Sequence, residues 1–177
     1  MTSPLNILFV CTGNSARSIL GEALATTLSH GRLRGYSAGS HPGGKVNPYA
    51  AELCAEMNYP AQLLRSKSWD EFGVAGAPVM DLIVTVCDSA AGEACPVWLG
   101  HPAAAHWGLP DPAAVGGSDT NKRAAFRAIH DAMAQRIAML LALPLETMAD
   151  AERRDAMRGI GETAVLDAAT EKLFPAR

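Results

Sequence analysis

The sequence lacks a long apolar run and an excess of basic residues. No stretch approaches the roughly 18 consecutive apolar residues that a membrane-spanning helix needs. Lys and Arg number 15 against 18 Asp and Glu, which gives a net charge of −3 at pH 7. Nucleic acids and anionic membranes bind basic surfaces, so we expect neither as a partner. A small anion is compatible with this charge, because a few local donors can bind one on an acidic protein.

Cysteines are few, and the first residues show no export signal. Residues 1–4 contain no basic residue, and the apolar run at residues 7–10 is too short for a signal peptide. We therefore expect a cytoplasmic protein, in which cysteines are thiols available for catalysis or metal binding. The four cysteines are Cys11, Cys54, Cys87 and Cys95.

The hydrophobic pattern alternates between strands and helices. Apolar runs predict strands at residues 5–10, 33–39 and 81–86. Helical spacing predicts helices at residues 17–29, from Pro48, near residues 69–72 and at residues 121–143. This alternation predicts a layered α/β domain with a parallel sheet, which we place at residues 1–144. The charged remainder, residues 145–177, is expected to be an extension of one or two helices.

One motif lies between the first strand and the first helix. It runs Cys11-Thr12-Gly13-Asn14-Ser15-Ala16-Arg17-Ser18, and we call it the anion loop. A turn at this place can direct backbone N–H groups and a helix N-terminus at an oxyanion, which Arg17 can bind with two hydrogen bonds. The same field would stabilise a Cys11 thiolate as nucleophile. Gly13 is expected to supply unusual dihedral angles, Asn14 to brace the loop and Ser18 to donate to the sulfur.

Other interpretations of the loop are weaker. Cysteine is common at buried strand ends, and a Cys and an Arg at this spacing occur by chance. The strand before the motif and the helix after it favour the functional interpretation. An ATP-binding P-loop is excluded, because no Gly-Lys-Ser/Thr sequence follows.

Residues 8–18 resemble the active-site loop of the low-molecular-weight tyrosine phosphatase superfamily, and within it the arsenate reductases. Residues 36–39, 46–48 and 106–112 are also similar to that family. The resemblance implies a three-layer fold with a four-stranded parallel sheet. It also implies that Asp111, between two prolines, is the general acid that protonates the departing oxygen. Without the resemblance, Asp111 would be interpreted as a turn residue.

Two further cysteines suggest a redox relay. Cys87 and Cys11 both follow strands, and reactive groups collect at the carboxyl ends of parallel strands. The family places a strand-end cysteine and a second cysteine before a proline in this region, which correspond to Cys87 and Cys95. The resemblance therefore implies transfer of oxidation from Cys11 to Cys87 and then to Cys95. Alternatives are a buried structural Cys87, or a zinc site formed with His101 and His106, which lacks the usual ligand spacing.

These inferences predict an arsenate reductase with no tightly bound cofactor and no structural metal. Its electrons would come from an external thiol reductant such as thioredoxin, or glutaredoxin with glutathione, and phosphate or sulfate would bind as substrate analogues. Some relatives bind a potassium ion beside the loop through an Asn, a Glu and an Asp. Asn14 and Glu22 match two of these ligands, but the third falls near Ser68, so we do not predict the ion. We expect a monomer or a weak homodimer. The alternatives are a tyrosine phosphatase, which needs neither Cys87 nor Cys95, and a non-catalytic oxyanion or redox sensor.

Overall fold

A four-stranded parallel sheet forms the centre of the protein. The computed structural model describes residues 3–92, 98 and 100–175. The strands are β1 (Leu5–Cys11), β2 (Leu33–Gly39), β3 (Leu82–Thr85) and β4 (Ala103–His106). They lie in the order β2-β1-β3-β4, and every neighbouring pair is parallel. This arrangement confirms the predicted α/β class and the four-stranded sheet.

The central position of β1 follows from its composition. Residues 7–10 are Ile-Leu-Phe-Val, and all four side chains are fully buried. A strand that is apolar on both faces must be covered on both sides, as parallel strands flanked by helices are. β1 pairs with β2 on one side and β3 on the other, so the residue that ends β1 lies at the middle of the sheet.

Helices flank this sheet. They are α1 (Arg17–Leu28), α2 (Pro48–Glu56), α3 (Asp88–Gly92), α4 (Asp119–Leu141), α5 (Asp150–Glu162) and α6 (Ala168–Glu171). Helix α1 packs on β1, β2 and α4. Asn47 caps α2 by accepting a hydrogen bond from the Tyr49 N–H at 3.0 Å, directly before the proline at which a helix start was predicted. The predicted helices at residues 17–29 and 121–143 agree with α1 and α4 to within two residues at each end.

The sequence pattern did not reveal β4. Its residues are Ala-Ala-Ala-His, which have low strand propensity and do not form the kind of apolar run that predicted the other strands. β4 forms at the sheet edge because β3 offers it a backbone ladder, in which Leu82 pairs with Ala103 and Thr85 with His106. The number of strands was therefore available only from the family resemblance.

The C-terminal extension is helical and packs on the sheet edge. Helix α5 contacts β4 and α4, and its Met157 and Ile160 side chains are buried. The indole N–H of Trp107 donates to the Met157 carbonyl oxygen at 2.9 Å. Across the part of the chain that the structure describes, no helix is both long enough and apolar enough to span a membrane.

Candidate active site

The anion loop leaves the middle of the sheet and enters a helix at once. Cys11 is the last residue of β1, and Arg17 is the first residue of α1. The residue before the helix, Ala16, has no side chain that could cap the helix N-terminus. The first N–H groups of α1 therefore have no capping side chain and can bind an anion.

The backbone carbonyls of the anion loop point away from its centre. They accept hydrogen bonds of 2.9–3.2 Å from N–H groups of residues 40–47, with the pairs Ser40–Cys11, His41–Thr12, Gly43–Gly13 and Asn47–Ser15. In a trans peptide the N–H of the next residue points opposite to the carbonyl. The N–H groups of residues 12, 13, 14 and 16 therefore face the inside of the loop. That arrangement forms a ring of donors suited to a tetrahedral oxyanion.

Two donors contact the sulfur of Cys11. The Asn14 N–H donates to Sγ at 3.2 Å, and Ser18 Oγ lies 3.0 Å from it. The Asn14 side-chain amide donates to Ser18 Oγ at 2.9 Å, which leaves the hydroxyl hydrogen free to point at the sulfur. Cys11 is only 4% exposed. Donors in such a buried place stabilise negative charge on sulfur.

Asn14 has the backbone conformation that we had expected of Gly13. Its φ is +43°, whereas Gly13 is not among the residues with positive φ, so this expectation was wrong. Asparagine tolerates the left-handed region better than most residues, and here its side chain has two fixed partners. Its Oδ1 accepts from the Lys67 N–H at 2.8 Å, and its amide reaches Ser18. The Asn14 side chain is thus fully buried and braces the loop.

A buried ion pair lies behind the loop. The Lys67 ammonium is 3.3 Å from Glu22 Oε2, 3.2 Å from Ser37 Oγ and 3.1 Å from the Arg65 carbonyl oxygen. Glu22 also accepts hydrogen bonds from the Ser37 hydroxyl and, at 2.7 Å, from the Tyr59 hydroxyl. Burial and the adjacent Glu22 carboxylate raise the pKa of Tyr59, which keeps that hydroxyl a donor. Glu22, which matched a potassium ligand in the sequence, thus has the Lys67 ammonium as its cation in this structure.

Arg17 contacts the loop that carries Asp111. We call residues 106–112 the acid loop. The Arg17 Nη1–H donates to the Leu109 carbonyl oxygen at 2.9 Å, and Nη2 lies 3.5 Å from Asp111 Oδ2. The Asp111 side chain is 45% exposed and that of Arg17 only 15%. The structure thus brings the predicted acid to the side of the predicted oxyanion-binding guanidinium.

Cys87 lies beside the anion loop. It comes directly before α3, is 5% exposed, and its Sγ is 3.5 Å from Thr12 Oγ1. Cys11 and Cys87 line one cavity of about 590 Å³, the active-site cavity. Its other lining residues are Thr12, Gly13, Ser15, Ala16, Arg17, Asp88, Ser89, Leu109, Pro110, Asp111, Ala114, Phe174 and Pro175. Cys95 lies outside the residues that the structure describes.

Cys54 differs from Cys11 and Cys87 in lying outside the active-site cavity. It is fully buried on α2, and burial together with the negative charge of Glu22 raises the pKa of its thiol to about 12. Such a thiol stays protonated and unreactive near neutral pH. Within residues 3–92, 98 and 100–175, no group of three His, Cys, Asp or Glu side chains is arranged to hold a metal ion.

Three features of the site were missed by sequence reasoning. Lys67 gave no local signal, since a lone lysine in a loop is normally solvated. Gly39 was quoted only as part of a resemblance, yet a Cβ there would lie 2.5 Å from the Thr12 carbonyl oxygen. Phe174 belongs to the extension, which we had separated from the chemistry.

Comparison with known proteins agrees with this geometry. The sequence model of a family described as low molecular weight phosphotyrosine protein phosphatase matches residues 6–153. An arsenate reductase of Halalkalibacterium halodurans is 36% identical over 131 residues, and one of Bacillus subtilis is 34% identical over 131 residues. Each alignment covers 74% of this chain and 91% of the relative. The crystal structure of an arsenate reductase from Archaeoglobus fulgidus is 27% identical, with a TM-score of 0.57, and the match covers 77% of this chain and 99% of that one.

Proposed function

The chain belongs to the low molecular weight phosphotyrosine protein phosphatase family, and from that premise we propose that it reduces arsenate to arsenite with Cys11 as the nucleophile. The observation that carries the proposal is the second thiol, Cys87, which lines the same cavity as Cys11. Hydrolysis of a phosphate ester needs only one thiol, whereas reduction of arsenate by two electrons needs a second one to form a disulfide. The curated relatives described above are named as arsenate reductases.

In the first step, arsenate binds to the loop N–H groups and to Arg17. The Cys11 thiolate attacks arsenic and forms a sulfur–arsenic bond. Asp111 donates a proton to the departing oxygen, which leaves as water. Oxyanion binding is assigned to Thr12, Gly13, Asn14, Ser15, Ala16, Arg17 and Ser18, with Asn14 and Ser18 acting also on the Cys11 sulfur.

In the second step, Cys87 attacks Cys11. A sulfur–sulfur bond forms and the sulfur–arsenic bond breaks, with its electron pair going to arsenic. Arsenic(V) becomes arsenic(III), arsenite leaves, and two thiols become one disulfide. Cys95 then attacks Cys87, which frees Cys11 and leaves a Cys87–Cys95 disulfide for an external dithiol to reduce.

The electron donor and the cellular compartment follow from this chemistry. A protein disulfide that must be reopened in every cycle needs a thiol donor, and we propose thioredoxin or another small thiol system. Such a cycle requires a reducing compartment, so we place the protein in the cytoplasm. We also propose that residues 1–144 carry the chemistry, with residues 145–177 as an extension, in a monomer or weak homodimer.

The test is arsenate-dependent oxidation of reduced thioredoxin by wild type, Cys11→Ser, Cys87→Ser and Cys95→Ser. All three variants should lose turnover. Cys54→Ala is the matched control and should retain turnover, because Cys54 does not line the cavity and its thiol is protonated. Full turnover in Cys87→Ser would contradict the relay.

The same variants separate reductase from phosphatase. Hydrolysis of para-nitrophenyl phosphate should disappear in Cys11→Ser but survive in Cys87→Ser, because the ester reaction uses the anion loop and Asp111 but no second thiol. A protein that hydrolyses the ester and never oxidises thioredoxin would be a phosphatase. A protein that binds phosphate and catalyses neither reaction would be an oxyanion sensor.

A further inference from the structure

At the acid loop, the active-site cavity adjoins a second cavity. The other, which we call the rear cavity, has a volume of about 400 Å³. It is lined by Gly108, Arg136, Thr163, Ala164, Val165, Leu166 and Glu171, besides four residues that line both cavities. The shared residues are Leu109, Pro110, Phe174 and Pro175. Two elements of the fold therefore form the partition: the acid loop on one side and the end of the C-terminal extension on the other.

The C-terminal extension is fixed in this position by Arg136. This side chain is 4% exposed, and its guanidinium donates to Gly108 O at 3.3 Å, Gly161 O at 3.0 Å and Thr163 O at 3.3 Å. One residue of α4 thus binds both the acid loop and the end of α5. Gly161 adds a close contact, since a Cβ there would lie 2.2 Å from the His106 carbonyl oxygen. The chain after α5 therefore leaves from a defined place beside the acid loop.

Phe174 differs from the other residues of the active-site cavity. Among the described residues that line it, Phe174 is the single aromatic one. The two residues that follow Asp111 and Pro112 are small, Ala113 and Ala114. The bulk at the outer side of this cavity is thus supplied by the extension rather than by the acid loop.

We propose that Phe174 is a specificity-determining residue, whose ring closes the active-site cavity toward the rear cavity and limits the group that a bound oxyanion can carry. A tetraoxo anion needs only the anion loop and Arg17, so the ring leaves its binding unaffected. A phenyl group on the anion must extend out of the loop into the rest of the active-site cavity, which Leu109, Pro110 and Phe174 help to line. Removing the ring joins the two cavities and makes room for that group. The inference rests on the proposed function only in requiring that the loop binds oxyanions.

The test compares two ligands that differ by one phenyl group. Isothermal titration calorimetry gives the Kd of inorganic phosphate and of phenylphosphonate for wild type, Phe174→Ala and Phe174→Trp. We expect Phe174→Ala to lower the Kd of phenylphosphonate about tenfold relative to the Kd of phosphate. A change of this size is what pocket size usually contributes to selectivity. Phe174→Trp should change the ratio in the opposite direction. Leu173→Ala is the matched control, because Leu173 is 37% exposed and lines neither cavity.

Each outcome separates this inference from the proposed function. The inference would be overturned by an unchanged ratio of the two Kd values in both Phe174 variants. It would also be overturned by weaker binding of phenylphosphonate to Phe174→Ala, or by an equal effect of Leu173→Ala. Binding needs neither Cys87 nor turnover, so a failure to reduce arsenate would leave the ratio readable. Absence of phosphate binding to the wild type would overturn both proposals.

Discussion

The two sides of the active-site cavity differ in how firmly they are held. On the inner side, Asn14 and Ser18 are fully buried, and the carbonyls of the anion loop are bound by residues 40–47. On the outer side, arginine contacts and backbone hydrogen bonds hold the start of the acid loop, but the Asp111 side chain itself is 45% exposed. The proposed oxyanion site therefore lies on the more buried side, and the proposed general acid on the more open side.

This difference has a chemical reason. Stabilising charge requires donors that are oriented before the substrate arrives, because reorienting them during the reaction costs free energy. A general acid must instead meet a substrate whose geometry changes during the reaction. We therefore expect substitutions on the inner side to cost more binding and stability than substitutions on the outer side.

The largest effect is expected at Arg17, where the two sides meet. Arg17→Lys keeps the positive charge but loses the planar pair of donors and the contact with Leu109. We expect kcat/KM for arsenate to fall by about 100-fold or more, as for the loss of one oriented oxyanion donor. The thioredoxin-coupled assay measures it, with Arg34→Lys at an exposed position of β2 as control. Full activity in Arg17→Lys would show that a positive charge at position 17 is enough for arsenate turnover.

The next effect tests the support of the inner side. Lys67→Met leaves the Glu22 carboxylate buried without its cation. Breaking a buried pair from one side typically destabilises a protein by about 3 kcal/mol or more, which urea denaturation can measure. Lys45→Met, at an exposed lysine, should change the free energy of unfolding little. Equal stability of the two variants would mean that the inner side is not held by this pair.

A smaller effect is expected from crowding the loop. Gly39→Ala places a methyl group 2.5 Å from the Thr12 carbonyl oxygen, so the anion loop must shift. Overpacking of this kind costs about 2 kcal/mol, and we expect phosphate to bind more weakly as well. Gly43→Ala is a matched control, because its Cβ would meet open space. Unchanged phosphate affinity in Gly39→Ala would show that the loop tolerates displacement.

The smallest effect concerns an exposed ion pair at the start of the extension. Arg32 binds Glu146 through two hydrogen bonds of 2.8 and 2.9 Å, which, with a backbone hydrogen bond, lower the pKa of that carboxyl to about 2. A lowered pKa in the folded state stabilises the protein above the unfolded value of 4.5, and this stabilisation is lost as the pH falls toward 2.

Exposure of both side chains keeps this contribution below about 1 kcal/mol. Glu146→Gln should reduce the free energy of unfolding at pH 7 by that amount, and the difference from wild type should disappear as the pH falls from 4.5 toward 2. Urea denaturation at several pH values measures it. A difference that persists at pH 2 would point to packing rather than charge.

Local sequence signals located the anion loop itself, but neither the distant residues that support it nor the outer side of the cavity. The strand, loop and helix around Cys11 are contiguous, so the apolar run before it and the helical spacing after it located the motif. Lys67 and Gly39 act on the loop through long-range contacts, which leave no periodic signal. β4 was missed because its alanines form a strand only in response to β3, and Phe174 reaches the cavity only because α5 packs on that strand.

The order of the strands has a consequence for sulfur chemistry. Val10 of β1 pairs with Thr85 of β3, and Cys11 and Cys87 follow these residues by one and two positions. Neighbouring strands are about 4.8 Å apart, which is within the range of Cα separations that a disulfide bridges. The pairing of β1 with β3 thus places Cys11 and Cys87 close together before any substrate binds. The proposed disulfide between Cys11 and Cys87 can therefore form without a large movement of the sheet.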